Sequence, residues 1–247
     1  MDCMLDSSAC FSNESGTMKT IGLIGGMSWE STIPYYRTIN ETVRALRGGL
    51  HSAKIVMVSV DFDEIERLQR LGDWDTAGSL LGDCGRRLAL AGADFLVLCT
   101  NTMHKVAPAI EALAGIPLLH IADPTAQVVS AAGLQTVGLL GTRFTMEQDF
   151  YRTRLEAQHG LRVLVPDDAG RTLVHRVIYE ELCQGQVLDV SRDGYRAIFK
   201  QLVDAGAEAI IFGCTQIGLV VQEADSPGPV FDTTALHARK AAEFALM

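Results

Sequence analysis

Short apolar segments alternate along the chain with longer amphipathic segments. The clearest apolar segment is Phe95–Cys99, which is followed directly by Thr100, Asn101 and Thr102. An apolar run of this length without polar alternation is typical of a parallel strand that is covered on both faces. In open α/β sheets, ligands bind at the carboxyl ends of the strands. These three polar residues are therefore candidates for a functional site.

The same combination of an apolar run and a polar end occurs a second time. Residues 92–102 read GADFLVLCTNT and residues 206–216 read GAEAIIFGCTQ, and the segments TIGLIGG (20–26) and TVGLLGT (136–142) also correspond. The alignment pairs Thr100 with Cys214, Asn101 with Thr215, and Thr102 with Gln216. Because these features recur in the same order, we predict an internal duplication.

The alternation of strands and helices in each half predicts an α/β fold with parallel sheets flanked by helices. Strands are expected at 20–26, 54–61, 95–99, 116–121, 136–142, 161–165 and 229–231 and within 206–216; helices are expected at 31–46, 63–71, 76–91, 125–132, 173–184, 191–204 and 234–246. We predict two similar α/β domains, related by pseudo-two-fold symmetry, with the active site in the cleft between them. Residues 18–127 plus 234–247 would form the first domain and 128–233 the second. Residues 1–17 are polar and lack a periodic pattern, which favours a disordered extension or an expression remnant.

Composition and charge narrow the class of protein. The chain has 247 residues, of which 48% are hydrophobic and 21% charged, as in a globular protein with a sizeable core. The net charge of −9 argues against nucleic acid and membrane surfaces as partners. No apolar run approaches the length of a membrane span. The six cysteines form no metal-ligand pattern, so we expect no metal site and a cytoplasmic location, where thiols stay reduced.

The two polar strand ends carry different chemistry. A helix that begins after such a strand presents free backbone N–H groups, which suit a carboxylate and lower the pKa of a nearby thiol. Cys214 could therefore be reactive, with Thr100 facing it across the cleft. The alternative is that Thr100 and Thr215 only cap helices and that Cys214 is a small buried hydrophobic residue.

The segments CTNT (99–102) and GCT (213–215) resemble the two signatures of the cofactor-independent aspartate/glutamate racemase family, and MKTIGLIGGMSWEST (18–32) resembles the start of its aspartate racemases. The resemblance implies an isomerase that racemises aspartate or glutamate without pyridoxal phosphate or metal. In the family, two cysteines flank the α-carbon of the substrate, and the second of them corresponds to Cys214. The partner implied is a small acidic amino acid, and the resemblance leaves a homodimer open.

The first family cysteine has no direct counterpart, because Thr100 stands in its place and Cys99 comes one residue earlier. Successive strand residues point to opposite faces, so we expect Thr100 in the cleft and Cys99 in the sheet packing, unless a bulge rotates Cys99 inward. A threonine hydroxyl is a far weaker acid than a thiol. The resemblance therefore implies racemisation biased toward the L enantiomer, with Cys214 as the base and Thr100 as a proton donor or relay.

Other residues are candidates for binding the substrate. Those that the resemblance implies for the carboxylate or its surrounding loops are Met27, Asn101, Thr102, Thr142, Thr145 and Thr215, although ordinary turn roles stay open for Thr142 and Thr145. The side-chain carboxylate could be bound by Arg67, Gln69, Arg70 or His175. The place of a family lysine is taken by Cys183. His104 could either orient Thr100 or lie on a helix surface.

Two other classes of function stay open. One reactive cysteine would also suit a hydantoin racemase, an enzyme like maleate isomerase, or a decarboxylase of the same superfamily. Loss of the first cysteine could alternatively leave a non-catalytic protein that binds an acidic amino acid.

Overall fold

A computed structural model describes residues 17–247. The predicted N-terminal extension lies outside the described residues, apart from Thr17. Strands are β1 (Ile21–Gly25), β2 (Ile55–Ser59), β3 (Phe95–Leu98), β4 (Leu118–Leu119), β5 (Thr136–Gly141), β6 (Arg162–Leu164), β7 (Ala209–Gly213) and β8 (Val230–Asp232). Helices are α1 (Trp29–Arg47), α2 (Phe62–Leu71), α3 (Trp74–Leu90), α4 (Ala107–Ala114), α5 (Ala122–Ala131), α6 (Arg143–Glu147), α7 (Asp149–Thr153), α8 (Asp168–Glu180), α9 (Asp189–Asp204), α10 (Ile217–Val220) and α11 (Thr233–Ala245).

The strands form two parallel sheets with the same topology. Their orders are β2-β1-β3-β4 and β6-β5-β7-β8, and all pairings are parallel. The direction in which successive strands are added reverses once in each sheet. In the first sheet this happens between β1 and β3, and in the second between β5 and β7. This is the point at which open α/β sheets bind ligands. The prediction of two similar parallel α/β layers is confirmed.

The central strands are apolar because helices cover both of their faces. All residues of β1, β3 and β7 are buried. The closing helix α11 returns to the first half, where its alanines Ala238, Ala241, Ala242 and Ala245 pack in one cluster with Tyr35, Ile39 and Val43 of α1. Small side chains allow this close approach between helices. No helix within residues 17–247 combines the length and the apolar character needed to cross a membrane.

Some element boundaries differ from those predicted. The strand expected at 116–121 is reduced to Leu118–Leu119, and α5 begins at Ala122 rather than Thr125. Asp123 and Pro124 lie in the first helical turn, where a proline loses no hydrogen bond. The helix expected at 173–184 spans Asp168–Glu180, because the Asp167 side chain accepts a hydrogen bond from the Gly170 N–H and caps it earlier.

Candidate active site

The polar strand ends of the two halves surround one small cavity. Its volume is about 20 Å³, which is room for about one water molecule, so a larger ligand would have to part the two halves. The first half contributes Met27, Phe62, Gln69, Thr100, Asn101 and Thr102, and the second half Thr142, Ile178, Tyr179, Cys183, Cys214, Thr215 and Gln216. Of the residues predicted for catalysis and for the α-carboxylate, all but Thr145 line this cavity, and Gln69 lines it as well. Thr145 lies directly behind Thr142, with its Oγ1 3.3 Å from that of Thr142.

Thr100 and Cys214 occupy corresponding positions, just beyond the ends of β3 and β7. Both line the cavity, and they are 7% and 8% exposed, respectively. Cys99 is fully buried on the other side of the sheet, in the cluster that contains Tyr35 and Ala238. Its Sγ atom is 3.8 Å from the carbonyl oxygen of Val97, within its own strand. No bulge turns Cys99 toward the cavity, so Thr100 and Cys214 are the residues that face it from the two strand ends.

Three threonine hydroxyls join the two halves at one side of the cavity. The Oγ1 of Thr102 is 2.9 Å from that of Thr142 and 3.5 Å from that of Thr145. Thr142 also accepts a hydrogen bond from the Thr145 N–H, so it caps α6 and lines the cavity at the same time. The turn role and the site role that the sequence left as alternatives are therefore compatible. A carboxylate could accept hydrogen bonds from this group of hydroxyls.

Two buried amide oxygens at the cavity have no hydrogen-bond partner within residues 17–247. They are the Oδ1 of Asn101 and the Oε1 of Gln216. The amide nitrogen of Asn101 donates to the Thr233 hydroxyl at 3.0 Å, and that of Gln216 donates to the Ser28 hydroxyl. Unpartnered buried acceptors are uncommon in folded proteins. A donor group of the bound ligand would satisfy them.

The side of the cavity formed by α2 and α8 is closed by a contact between the halves. The Tyr179 hydroxyl donates to the Gln69 Oε1 at 2.7 Å, and the Gln69 Nε2 donates to the Met103 sulfur at 2.9 Å. The rings of Phe62 and Tyr179 are stacked, with centroids 6.3 Å apart. We call Phe62, Gln69, Ile178, Tyr179 and Cys183 the α2–α8 wall.

Comparison with known proteins places this chain in a family. The family model for Asp/Glu/hydantoin racemases matches residues 24–241. The chain belongs to the Asp/Glu/hydantoin racemase family. The crystal structure of a Yersinia pestis protein provisionally described as an Asp/Glu racemase is 59% identical, with a TM-score of 0.86 and coverage of 93% of this chain and 100% of that one. An aspartate racemase homologue from Pyrococcus horikoshii is 33% identical, with a TM-score of 0.78 and coverage of 92% and 99%.

Among curated proteins, the broad specificity amino-acid racemase RacX of Bacillus subtilis is 22% identical over 227 residues, which is 89% of this chain and 95% of that protein. The predicted family resemblance is confirmed. Membership and these relatives make the protein an isomerase of the racemase type.

In this racemase, burial favours the neutral thiol form of Cys214. Burial raises the pKa of Cys214 to about 12, and this effect exceeds the opposing effect of the backbone N–H groups of Gln216 and Ile217, which lower the pKa. We expected the N–H groups after the strand to bring the pKa toward the thiolate. That expectation is wrong, because the loss of hydration outweighs the local backbone dipoles.

His104 contacts Thr100 through the backbone rather than through its hydroxyl. The His104 Nδ1 donates to the Thr100 carbonyl oxygen at 2.7 Å, and its Nε2 accepts from the Ile121 N–H at 3.1 Å. The side chain is 2% exposed, so the helix-surface alternative is wrong. Burial, with His120 and His237 nearby, holds the pKa of His104 well below its usual value. A neutral His104 therefore fixes the backbone that presents Thr100.

The four candidates for a side-chain carboxylate occupy different places. Gln69 lines the cavity, whereas Arg67 and Arg70 are exposed. His175 lies in a neighbouring cleft beyond Tyr179, and its Nδ1 accepts from the Arg143 N–H at 3.2 Å. Burial lowers the pKa of His175, which keeps it neutral at pH 7. Of the four, Gln69 alone contributes to the cavity wall.

Several cavity residues were not predicted from the sequence. Gln216 could have been found, because it aligns with Thr102 of the first half. Phe62, Ile178 and Tyr179 carried no signal beyond ordinary helix amphipathicity, and Cys183 was noted only as the place of a missing lysine. Within residues 17–247, no group of three or more His, Cys, Asp or Glu side chains is arranged to hold a metal ion.

Proposed function

We propose that this protein racemises an α-amino acid by removing the α-proton with Cys214 and returning a proton to the opposite face through Thr100. The observation that carries the proposal is that these two residues, at corresponding strand ends of the two halves, line one cavity. Residues on either side of an α-carbon can act on its opposite faces. The family relationship makes aspartate and glutamate the expected substrates.

The cavity supports an amino acid as the ligand because it offers both kinds of partner that the α-carbon substituents need. The hydroxyls of Thr102, Thr142 and Thr145 can donate to an α-carboxylate. The unpartnered oxygens of Asn101 and Gln216 can accept from an α-ammonium group. Maleate carries no nitrogen donor and would leave these acceptors unsatisfied, at a cost in binding, and a hydantoin, although it has ring N–H groups, has no α-carboxylate to accept from the threonine hydroxyls.

In the proposed mechanism, the thiol of Cys214 gives its proton to solvent when the substrate binds, and this proton neutralises the hydroxide that forms when Thr100 later relays a proton from water. The positive ammonium group of the substrate favours the thiolate, and the N–H groups of Gln216 and Ile217 support it. A thiolate held away from water is a strong base and removes the α-proton. Thr100 then relays a proton from water to the opposite face, since a threonine alkoxide is too basic to persist. Because the equilibrium constant of a racemisation is unity, kcat/KM for net conversion is the same in both directions, and the difference between Cys214 and Thr100 appears as faster exchange of the α-proton of the L enantiomer with solvent.

The test is loss of the α-proton signal of L-aspartate and L-glutamate by nuclear magnetic resonance in D₂O, together with chiral chromatography of the products. Wild type is expected to exchange the L enantiomer faster than the D enantiomer, and Cys214→Ala to abolish exchange. Cys84→Ala, which removes a buried thiol outside the cavity, is the control and is expected to keep activity.

Variants at Thr100 test the assignment of the two faces. Thr100→Cys is expected to make the α-proton exchange rates of the L and D enantiomers more equal. Thr100→Val is expected to slow racemisation more than it slows the exchange of deuterium into the α-position at the Cys214 face. Equal bias in wild type and Thr100→Cys would contradict the role of Thr100. Absence of any exchange by wild type would instead indicate a binding protein, and turnover of hydantoin or maleate alone would indicate another reaction of the superfamily.

A further inference from the structure

The α2–α8 wall carries no charged side chain. Its members are Phe62, Gln69, Ile178, Tyr179 and Cys183, and all five line the cavity. If the α-carboxylate and α-ammonium groups occupy the polar strand ends, as the proposed function requires, the wall is the surface left to contact the substrate side chain.

The cations of the cleft beside this wall lie outside the cavity and already have partners. Arg70 and Arg176 line that cleft on the far side of Gln69 and Tyr179, together with the neutral His175 and the carboxylates of Glu66 and Glu180. Arg70 is 3.5 Å from Glu66, and Arg176 is 3.0 Å from Glu181. The hydrogen bond between Tyr179 and Gln69 separates this cleft from the cavity. These cations therefore do not offer a direct contact to a side chain inside the cavity.

The surroundings of the wall also disfavour negative charge. Burial raises the pKa of both Tyr179 and Cys183, so that each stays neutral. A carboxylate placed between them would lose hydration without gaining a cation. Gln69 uses its oxygen to accept from Tyr179 and one amide hydrogen on the Met103 sulfur, which leaves one N–H for the cavity. A single neutral donor suits the oxygen of an amide or hydroxyl group.

We propose that the cavity accepts amino acids with uncharged side chains, of the size of glutamine, asparagine or methionine, at least as well as glutamate and aspartate. The inference rests on the proposed racemase function and extends its substrate range. Selection at the α2–α8 wall then depends on the size of the side chain and on its freedom from charge, since the wall offers apolar surface and one hydrogen-bond donor.

The first test compares substrates of equal size that differ in charge. Exchange of the α-proton in D₂O is measured with the wild-type protein for L-glutamine against L-glutamate, for L-asparagine against L-aspartate, and for L-methionine. The inference predicts kcat/KM values for the amides that equal or exceed those for the acids. Exchange of aspartate and glutamate alone would overturn it while leaving the racemase function intact. Exchange of none of the five would overturn the racemase function and this inference with it.

A matched pair of variants tests the role of charge at the wall. Cys183→Lys places a cation at the cavity, and Cys183→Met places an uncharged chain of similar length there. The lysine variant is expected to raise the ratio of kcat/KM for L-glutamate over L-glutamine by roughly tenfold relative to the methionine variant, as one partly desolvated charge pair can. Arg70→Gln, which removes a cation outside the cavity, is expected to leave the ratio unchanged. Equal ratios in the lysine and methionine variants, both folded by circular dichroism, would contradict the proposal.

Discussion

The hydroxyl of Thr102 in the first half of the chain lies 2.9 Å from the hydroxyl of Thr142 in the second half. Each residue follows a central strand of its own sheet, so the contact holds the two polar strand ends together at the cavity. Neither hydroxyl is fully used by the other, because a hydroxyl has one donor and two acceptor positions. The two hydroxyls can therefore rotate to donate hydrogen bonds to a carboxylate without a large movement of the backbone.

This contact predicts that Thr142→Val weakens substrate binding more than it slows the chemical step. The variant keeps the shape of the side chain and removes one hydroxyl, which we expect to raise KM by about tenfold, the cost of a lost hydrogen bond to a charged group. Thr153→Val, at an exposed helical position, is the control and should leave KM unchanged. A Thr142→Val enzyme with normal KM and a strongly reduced kcat would contradict a binding role.

The buried thiol of Cys214 predicts a loss of stability at alkaline pH. Its folded pKa of about 12 exceeds the value near 8.5 of an unfolded thiol. Above pH 8.5 the unfolded chain loses this proton while the folded protein keeps it, so stability falls as the pH rises toward 12. The contribution is about 1.4 kcal/mol per pH unit in that interval.

Urea unfolding at pH 7.5, 9 and 10 checks this prediction by comparing wild type with Cys214→Ser, which has no titrating group at this position. The free energy of unfolding of wild type should fall relative to the variant above pH 9. If the free energies of unfolding of the two proteins differed by the same amount at all three pH values, the thiol would titrate at its ordinary pKa.

The sequence predicted the fold and most of the cavity because both depend on local features that occur twice. An apolar run that ends in Thr-Asn-Thr or Cys-Thr-Gln specifies a buried strand and a polar strand end, and the duplication places the two ends opposite each other. Alternation along the strand also correctly separated Cys99 from Thr100. These inferences require no knowledge of which distant segments meet.

The α2–α8 wall and the pKa of Cys214 could not be predicted in this way. Gln69 and Tyr179 are 110 residues apart, and neither helix carries a local sign that their side chains form a hydrogen bond. The pKa of Cys214 depends on how completely the two halves exclude water. The backbone N–H groups, which the sequence does suggest, have the smaller effect.

Three buried histidines predict a loss of stability in acid. His104, His120 and His237 lie close together, with the ring centroid of His104 4.5 Å from that of His120 and 5.9 Å from that of His237. Burial lowers the pKa of His120 to about 3 and that of His237 to about 4. Below pH 6.5 the unfolded chain gains protons that the folded protein does not bind, so stability falls as the pH decreases toward 4.

Replacement of His237 by glutamine removes one of these titrations. Between pH 6 and pH 4.5 the slope of unfolding free energy against pH should be shallower than in wild type by about 1.4 kcal/mol per pH unit, even if the variant is less stable at pH 7. His51→Gln, at an exposed position, should keep the wild-type slope. An unchanged slope in His237→Gln would mean that this histidine titrates alike in both states.

The unpartnered oxygen of Gln216 predicts a specific effect on ligands that carry an ammonium group. Gln216→Met retains the length of the side chain and removes the amide, so the α-ammonium group of a substrate loses the buried Oε1 acceptor. We expect KM for amino acids to rise by about tenfold, as for other hydrogen bonds to charged groups.

Succinate, a dicarboxylate without an ammonium group, should inhibit wild type and the variant equally. Gln158→Met, at an exposed helical position, controls for the change of residue type. Equal weakening of succinate and amino acids would mean that the substitution disturbs the whole cavity, since only a lost ammonium contact distinguishes the two kinds of ligand.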